Sequence, residues 1–223
     1  MTPRHHPTDE YLLDYAAGST TEPVALVIAS HLTFCPDCRA RARMLDGIGG
    51  CLLETIEPTP VAARSFGRLL ERLGEARMAP APSASKPSPL METSIFPRPM
   101  AAYVMGEPSV LPWRRVVRGV DECPLTMHDQ GRGTLKTALL RIAGGRGIPR
   151  HTHRGVEMLL VLDGSFSDET GHYARGDVQI ADEALVHRPI ADAGRDCVCL
   201  TVVEGPIRLT GPLARFLNPF LGG

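Results

Sequence analysis

The sequence predicts an α + β protein of two domains, a small N-terminal helical bundle followed by a C-terminal all-β barrel. Three observations carry this. Residues 8 to 75 read as four helical segments with short breaks, Met78 to Pro89 is an Ala/Pro/Ser stretch, and from about Trp113 the chain changes to short apolar runs spaced by Gly and Asp turns. Helical segments followed by a run of strands mark separately built parts, and the stretch between them has the composition of a semi-extended linker. The expected division is a helical domain at 1–77, a linker at 78–97 and a β domain at 98–223.

The expected helices are Asp9 to Ala17, Pro23 to Phe34, Pro36 to Glu54 and Ala63 to Arg77. Thr8 stands where the first helix needs an N-cap and Gly18 where it needs a stop. Glu22-Pro23 and Pro36 put proline in a first helical turn, which tolerates its missing N–H. In the fourth segment Phe66, Leu69, Leu70 and Leu73 recur at i, i+3, i+4 and i+7, which is one apolar stripe. Glu57-Pro58-Thr59-Pro60 separates it from the third helix, so the fourth is expected to stand as an arm. Its stripe serves either a partner or packing on the rest of the chain, and spacing does not choose between these.

The expected strands include Leu135 to Ile142, Val156 to Leu162, Asp177 to Ile180 and Asp196 to Val203. Their number and short turns suit a sandwich or barrel. Cys197 and Cys199 alternate in the last run, so on a strand both thiols face one side. Buried thiols in that setting are usually packing residues.

The bulk numbers narrow the function. With 43% hydrophobic residues the 223-residue chain has material for real cores. A formal net charge of -1 and a pI near 6.7 leave no basic field for a phosphate backbone, which argues against direct nucleic-acid binding. Met1 to Tyr15 is polar where a signal peptide needs an apolar core, and nothing reaches the roughly 18 apolar residues of a membrane span. The expected location is cytoplasmic, without membrane contact, and in that reducing setting Cys35-Pro-Asp-Cys38 reads as a metal or redox element.

Two constellations carry metal chemistry. The first is His31-x-x-x-Cys35-x-x-Cys38, with His5 and His6 upstream as candidate fourth ligands. With His31 on the last turn of one helix, Cys35 in the corner and Cys38 on the next first turn, the three converge. Two thiolates and two neutral imidazoles around Zn2+ form a tetrahedral set of no net charge, and such a closed site is structural. A redox Cys-x-x-Cys is the alternative, but no βαβ pattern surrounds it. The second is His151-x-His153-x-x-x-Glu157 with His187 downstream. His151 and His153 alternate and so share a strand face, while His187 arrives from another strand. Three imidazoles and a carboxylate leave room for water or a ligand on a divalent metal. Zinc, iron, manganese and nickel all accept such donors, and spacing does not choose among them. His128 and His172 read as ordinary surface residues.

The N-terminal pattern, Arg4-His5-His6 followed by His31-Leu-Thr-Phe-Cys35-Pro-Asp-Cys38, resembles the zinc-binding anti-sigma domain. That resemblance implies His6, His31, Cys35 and Cys38 as the zinc ligands. The frame Gly145-(five)-His151-x-His153-(three)-Glu157-(six)-Gly164 resembles the first cupin motif, implying a cupin barrel with His151, His153, Glu157 and His187 on its metal. Tyr173 to Asp177 stands at the second motif, but Gly176 to His187 is longer than the usual spacing. Taken together, with Asp196 to Leu200 and Phe220-Leu-Gly-Gly, the chain is similar to the ChrR-type anti-sigma factors over nearly its whole length.

The resemblance implies a regulator rather than an enzyme. Its helical domain would sequester an extracytoplasmic-function sigma factor, to be released when the cupin responds to singlet oxygen or hydroperoxide, with a small molecule or oxidant as possible cupin ligand. The surfaces expected to grip the partner are Tyr11, Leu12 and Tyr15 of the first helix and Phe66, Leu69, Leu70 and Leu73 of the arm. The rival from another class is a metal-dependent cupin oxygenase with a zinc-stabilised helical appendage, which uses the same ligands.

Overall fold

The structure is a computed structural model that describes residues 2–78, 94–127 and 135–210. The described residues of Met1–Asp46 and Ile95–Gly223 form one compact unit, and those of Gly47–Ser94 form another.

The helices are α1 (Asp9–Ala16), α2 (Glu22–Phe34), α3 (Pro36–Thr55) and α4 (Ser65–Met78), close to the expected segments. Thr8 holds the N-cap position of α1 in an extended conformation but makes no cap bond, because its hydroxyl donates to Glu10 Oε2 at 3.1 Å. Gly18 ends the helix at φ +68°, a conformation that favours glycine. Most of the Pro/Ala/Ser linker lies outside the described residues. Its last residues are not linker-like, since Phe96 is buried in the same core as Met100 and Val104.

Among the described residues eleven strands follow: β1 (Arg114–Val117), β2 (Val120–Pro124), β3 (Leu135–Ile142), β4 (His151–His153), β5 (Glu157–Asp163), β6 (Ser165–Asp168), β7 (Gly171–Ala174), β8 (Val178–Ala181), β9 (Ile190–Ala191), β10 (Cys197–Glu204) and β11 (Ile207–Leu209). Six form a sheet in the order β1-β2-β3-β10-β5-β8, three form β7-β6-β9, and β11 pairs with β4. One core unites the two larger sheets: Val120, Ile142, Leu159, Val161, Cys197 and Cys199 from the six-stranded sheet meet Phe166, Tyr173 and Ala191.

The alternate residues of the same strands face the other way. Met158, Leu160 and Leu162 of β5, and Val198, Leu200 and Val202 of β10, pack with Leu26 and Val27 of α2 and with Phe96, Met100 and Val104. Both strands are therefore buried on both faces and read as continuous apolar runs instead of alternating ones. α2 buries a second side as well, where Ile28 meets Leu12 of α1 beside Cys35 and Cys38. The helical segment up to Asp46 thus shares its core with the sheet, and the division between units falls within α3.

Glycine fixes one corner of this frame. Gly164, between β5 and β6, has φ +72°, and a Cβ there would lie 2.3 Å from the Asp196 carbonyl oxygen.

Leu200 lies in the core shared by sheet and helix and is wholly buried. Leu200→Ala is expected to destabilise the larger unit by about 2–5 kcal/mol, measured as a lowered urea midpoint.

Candidate metal centres

The first constellation gathers at the α2–α3 corner. The potential ligand atoms of His6, His31, Cys35 and Cys38 all lie within 4.8 Å of one another. His6 Nδ1 is 3.4 Å from the sulfurs of both Cys35 and Cys38. His5 goes elsewhere: its ring lies 4.3 Å from that of Tyr173, and its Nε2 is 3.2 Å from the His172 carbonyl oxygen. His6 is the upstream histidine that reaches the cysteines.

His31 supplies the best test of whether a metal fits. Its Nδ1 is 2.7 Å from the Gly176 carbonyl oxygen, so Nδ1 carries the proton and Nε2 keeps a lone pair. That Nε2 is buried without a hydrogen-bond partner among the described residues. Burial lowers the pKa of His31 despite the Gly176 carbonyl, which keeps the ring neutral. The Cys35 sulfur accepts the Cys38 backbone N–H at 3.3 Å at the start of α3, where a helix N-terminus favours negative charge. Burial and the neighbouring Cys35 nonetheless push the Cys38 thiol up to about 12. A cation beside the sulfur is what would bring the Cys38 thiolate within reach of neutral pH.

The second constellation lies inside the sheet-built part. His151 and His153 are the two ends of β4, Glu157 opens β5, and His187 bridges to His151 through paired backbone hydrogen bonds of 3.0 Å. All four are buried, with ligand atoms again within 4.8 Å of one another. His153 Nε2 is 3.2 Å from both His187 Nε2 and Glu157 Oε2, and His187 Nε2 is 3.8 Å from that same carboxylate oxygen.

Here two outward nitrogens are fixed, whereas His153 Nδ1 is buried without a hydrogen-bond partner among the described residues. His151 Nδ1 donates to the Pro149 carbonyl at 2.8 Å, and His187 Nδ1 donates to Asp168 Oδ2 at 2.9 Å. Each contact turns an Nε2 lone pair toward the centre, the arrangement a metal-binding histidine requires. Burial pushes the His151 pKa down to about 4, against the pull of Glu157, so its ring is neutral at physiological pH. Burial raises the pKa of Glu157, but the histidines, His153 foremost, outweigh it and hold the carboxyl ionised. Asp168 behaves likewise: burial is overcome by hydrogen bonds from His187, Thr170 and Gln179, which keep it well below the usual carboxylate range.

The other expected site residues divide. Phe66, Leu69, Leu70 and Leu73 of α4 are exposed, whereas Leu12 is wholly buried against Ile28 and the cysteines. Leu12 is therefore corrected from a partner-facing residue to a core one, because α1 turns this position onto α2 and leaves Leu13 exposed. Tyr11 and Tyr15 pack partly against the same core. Cys197 and Cys199 are buried with their sulfurs 3.5 Å apart. Asp168 and Gln179 were not legible in the sequence, where no motif marks Asp168 and Gln179 falls inside the expected strand Asp177 to Ile180.

Residues 101–208 match a family model, the ChrR cupin-like domain. The anti-sigma-E factor ChrR of Cereibacter sphaeroides is 39% identical over 220 residues, 99% of each chain. A chain in the crystal structure of Rhodobacter sphaeroides SigE in complex with the anti-sigma ChrR superposes with a TM-score of 0.75 at 38% identity, covering 91% of this chain and 100% of that one.

Asp168→Asn replaces an acceptor that fixes His187 by an amide that offers either a donor or a weaker acceptor. It is expected to weaken metal binding at the second group by about 10–100-fold in chelator competition. At the first group metal must displace thiol protons, so apparent affinity is expected to fall about tenfold per pH unit for each proton displaced as pH drops, read by titration at several pH values.

Proposed function

The chain belongs to the ChrR family of anti-sigma factors, and we propose that it binds an extracytoplasmic-function sigma factor and withholds it from core RNA polymerase. The observation that carries this reading is the surface of the smaller unit. Every residue from Gly47 to Gly74 is exposed, including Ile48, Leu52, Leu53 and Ile56 on the α3 side and Phe66, Leu69, Leu70 and Leu73 on α4. Large apolar side chains exposed in this number mark a protein interaction site. An amphipathic helix that lays its i, i+3, i+4 and i+7 residues into an apolar groove is an established docking mode. The solved complex concerns a relative's partner, and it supports the same class of partner for this chain.

The metals have distinct roles in this reading. His6, His31, Cys35 and Cys38 hold Zn2+, whose contribution is to pin the α1–α2–α3 corner. His151, His153, Glu157 and His187 hold a second divalent ion, zinc by preference, which supplies a Lewis-acid centre to which an oxidised molecule can bind. This group is the sensing part, and singlet oxygen or hydroperoxide stress is the signal that ends sequestration. No nucleic-acid or membrane contact is part of the proposal, and among the described residues no helix is long and apolar enough to cross a membrane.

The test uses the full chain. Leu69→Asp with Leu73→Asp is expected to weaken sigma-factor binding at least about 100-fold, as loss of apolar anchors does, while thermal stability and metal content stay unchanged because both positions are exposed. Unchanged affinity would remove α4 from the interface. If no sigma factor is recovered with the chain from its own cells and the iron-loaded protein consumes oxygen, the oxygenase reading replaces this one.

A further inference from the structure

Strand β8 and the turn before it touch the supports of both metal groups. On one side, the turn Arg175-Gly176-Asp177 is clamped by the helical segment. The Gly176 carbonyl oxygen accepts from His31 Nδ1 at 2.7 Å. Asp177 is buried, and its Oδ1 accepts the backbone N–H groups of Arg4 and His5 at 2.6 and 3.0 Å, the two residues immediately before His6. The His5 carbonyl then accepts the Val178 N–H at 3.1 Å, so the N-terminal segment continues onto the strand. Gly176 has φ +92°, and a Cβ there would lie 2.9 Å from both Phe34 Cβ and Pro3 Cγ, so the turn and corner close only around glycine.

On the other side, Gln179 of the same strand donates to Asp168 Oδ2 at 2.7 Å, the atom that accepts from His187 Nδ1. It also lies 2.9 Å from the Thr170 hydroxyl oxygen. β8 pairs with β5 in a register that sets Ala181 opposite Glu157. Gln179 is buried, and its Oε1 finds no hydrogen-bond partner among the described residues. An unpartnered buried amide oxygen costs stability, so Gln179 is not explained as a packing residue.

We propose that β8 couples the two metal groups: Gly176 and Asp177 position His31 and His6 for the first, Gln179 positions His187 through Asp168 for the second, and occupancy of the second sets how firmly the first holds its metal. These are positioning residues, and none touches a metal. An ordered His187 keeps Asp168 and Gln179 in register. When the second group empties, the strand that carries Asp177 loses that restraint, and the clamp on Arg4, His5 and His31 loosens. The proposal rests on both groups binding metal and is independent of the partner's identity.

Cobalt(II) makes the first group visible by itself, because only that group has thiolate ligands and so a sulfur-to-cobalt charge-transfer band. The rate at which this band decays in excess chelator would be measured in the full chain, in His151→Ala/His153→Ala, in Gln179→Leu, in the three changes combined and in Asp177→Asn. Metal content is measured alongside.

The band is expected to decay at least about tenfold faster in His151→Ala/His153→Ala and in Asp177→Asn than in the unaltered chain, the scale of losing a group that orients a ligand. Gln179→Leu is expected to keep both metals yet lose the first as fast as the histidine variant, with no further increase when the changes are combined. Equal rates with the second group full or empty overturn the coupling. So does a Gln179→Leu chain that still distinguishes the two states. If Asp177→Asn fails to fold, exchange of the Arg4 and His5 amides in the unaltered chain loaded with both metals replaces it: protection supports the clamp, and free exchange refutes it. Uptake of only one metal by the unaltered chain would instead defeat the two-metal reading.

Discussion

Strands β5 and β10 bury apolar side chains on both faces, one set against the inner core and the other against α2 and residues 95–104, and this double burial holds the helical segment to the sheet. Each fully buried Leu, Val or Met contributes on the order of 1.5–3 kcal/mol relative to exposure, so the shared core outweighs any single polar contact across it. The polar contacts depend on it in turn. With α2 seated on the sheet, its last turn delivers His31 to the Gly176 carbonyl, and the corner that follows brings Cys35 and Cys38 to His6. A metal group whose ligands all come from the helical part is thereby completed on a turn of the β part.

Charge balance explains why both groups suit a divalent cation. Two thiolates with neutral His6 and His31 carry two negative charges, which a doubly charged ion cancels. In the second group Glu157 and the adjoining Asp168 supply negative charge, since both are held ionised while His151 stays neutral. Burying uncompensated charge is costly, and here the compensation is already positioned. Three of the imidazoles, those of His31, His151 and His187, are also oriented beforehand, because Gly176, Pro149 and Asp168 each hold an Nδ1.

The smaller unit is built on the opposite principle. Its residues from Gly47 to Gly74 leave their large apolar side chains exposed, so its helices have periodicity without a core. In the larger unit the same kind of stripe is consumed by packing, as Leu12 of α1 and Leu26 and Val27 of α2 show. A stripe read from sequence does not distinguish these two fates, and for Leu12 it pointed outward where the structure points inward.

The sequence by itself determined the helices, the main strands and both groups of side chains that could hold a metal, because these depend on local spacing: i, i+4 periodicity, a His-x-x-x-Cys-x-x-Cys run at a helix–helix corner, and a His-x-His pair whose donors share a face on a strand. Only the tertiary structure decided that His6 and not His5 meets the cysteines, that Leu12 is core, and that Asp177 bonds the Arg4 and His5 amides while Gln179 and His187 meet on Asp168. Those facts rest on contacts between residues far apart in the chain, such as Arg4 with Asp177 or His187 with Asp168. One trace of this was present in the sequence: the unbroken apolar runs of β5 and β10 mark strands covered on both faces. Which element provides the second cover is a property of packing, because any apolar helix satisfies the run and only shape and chain connection select α2.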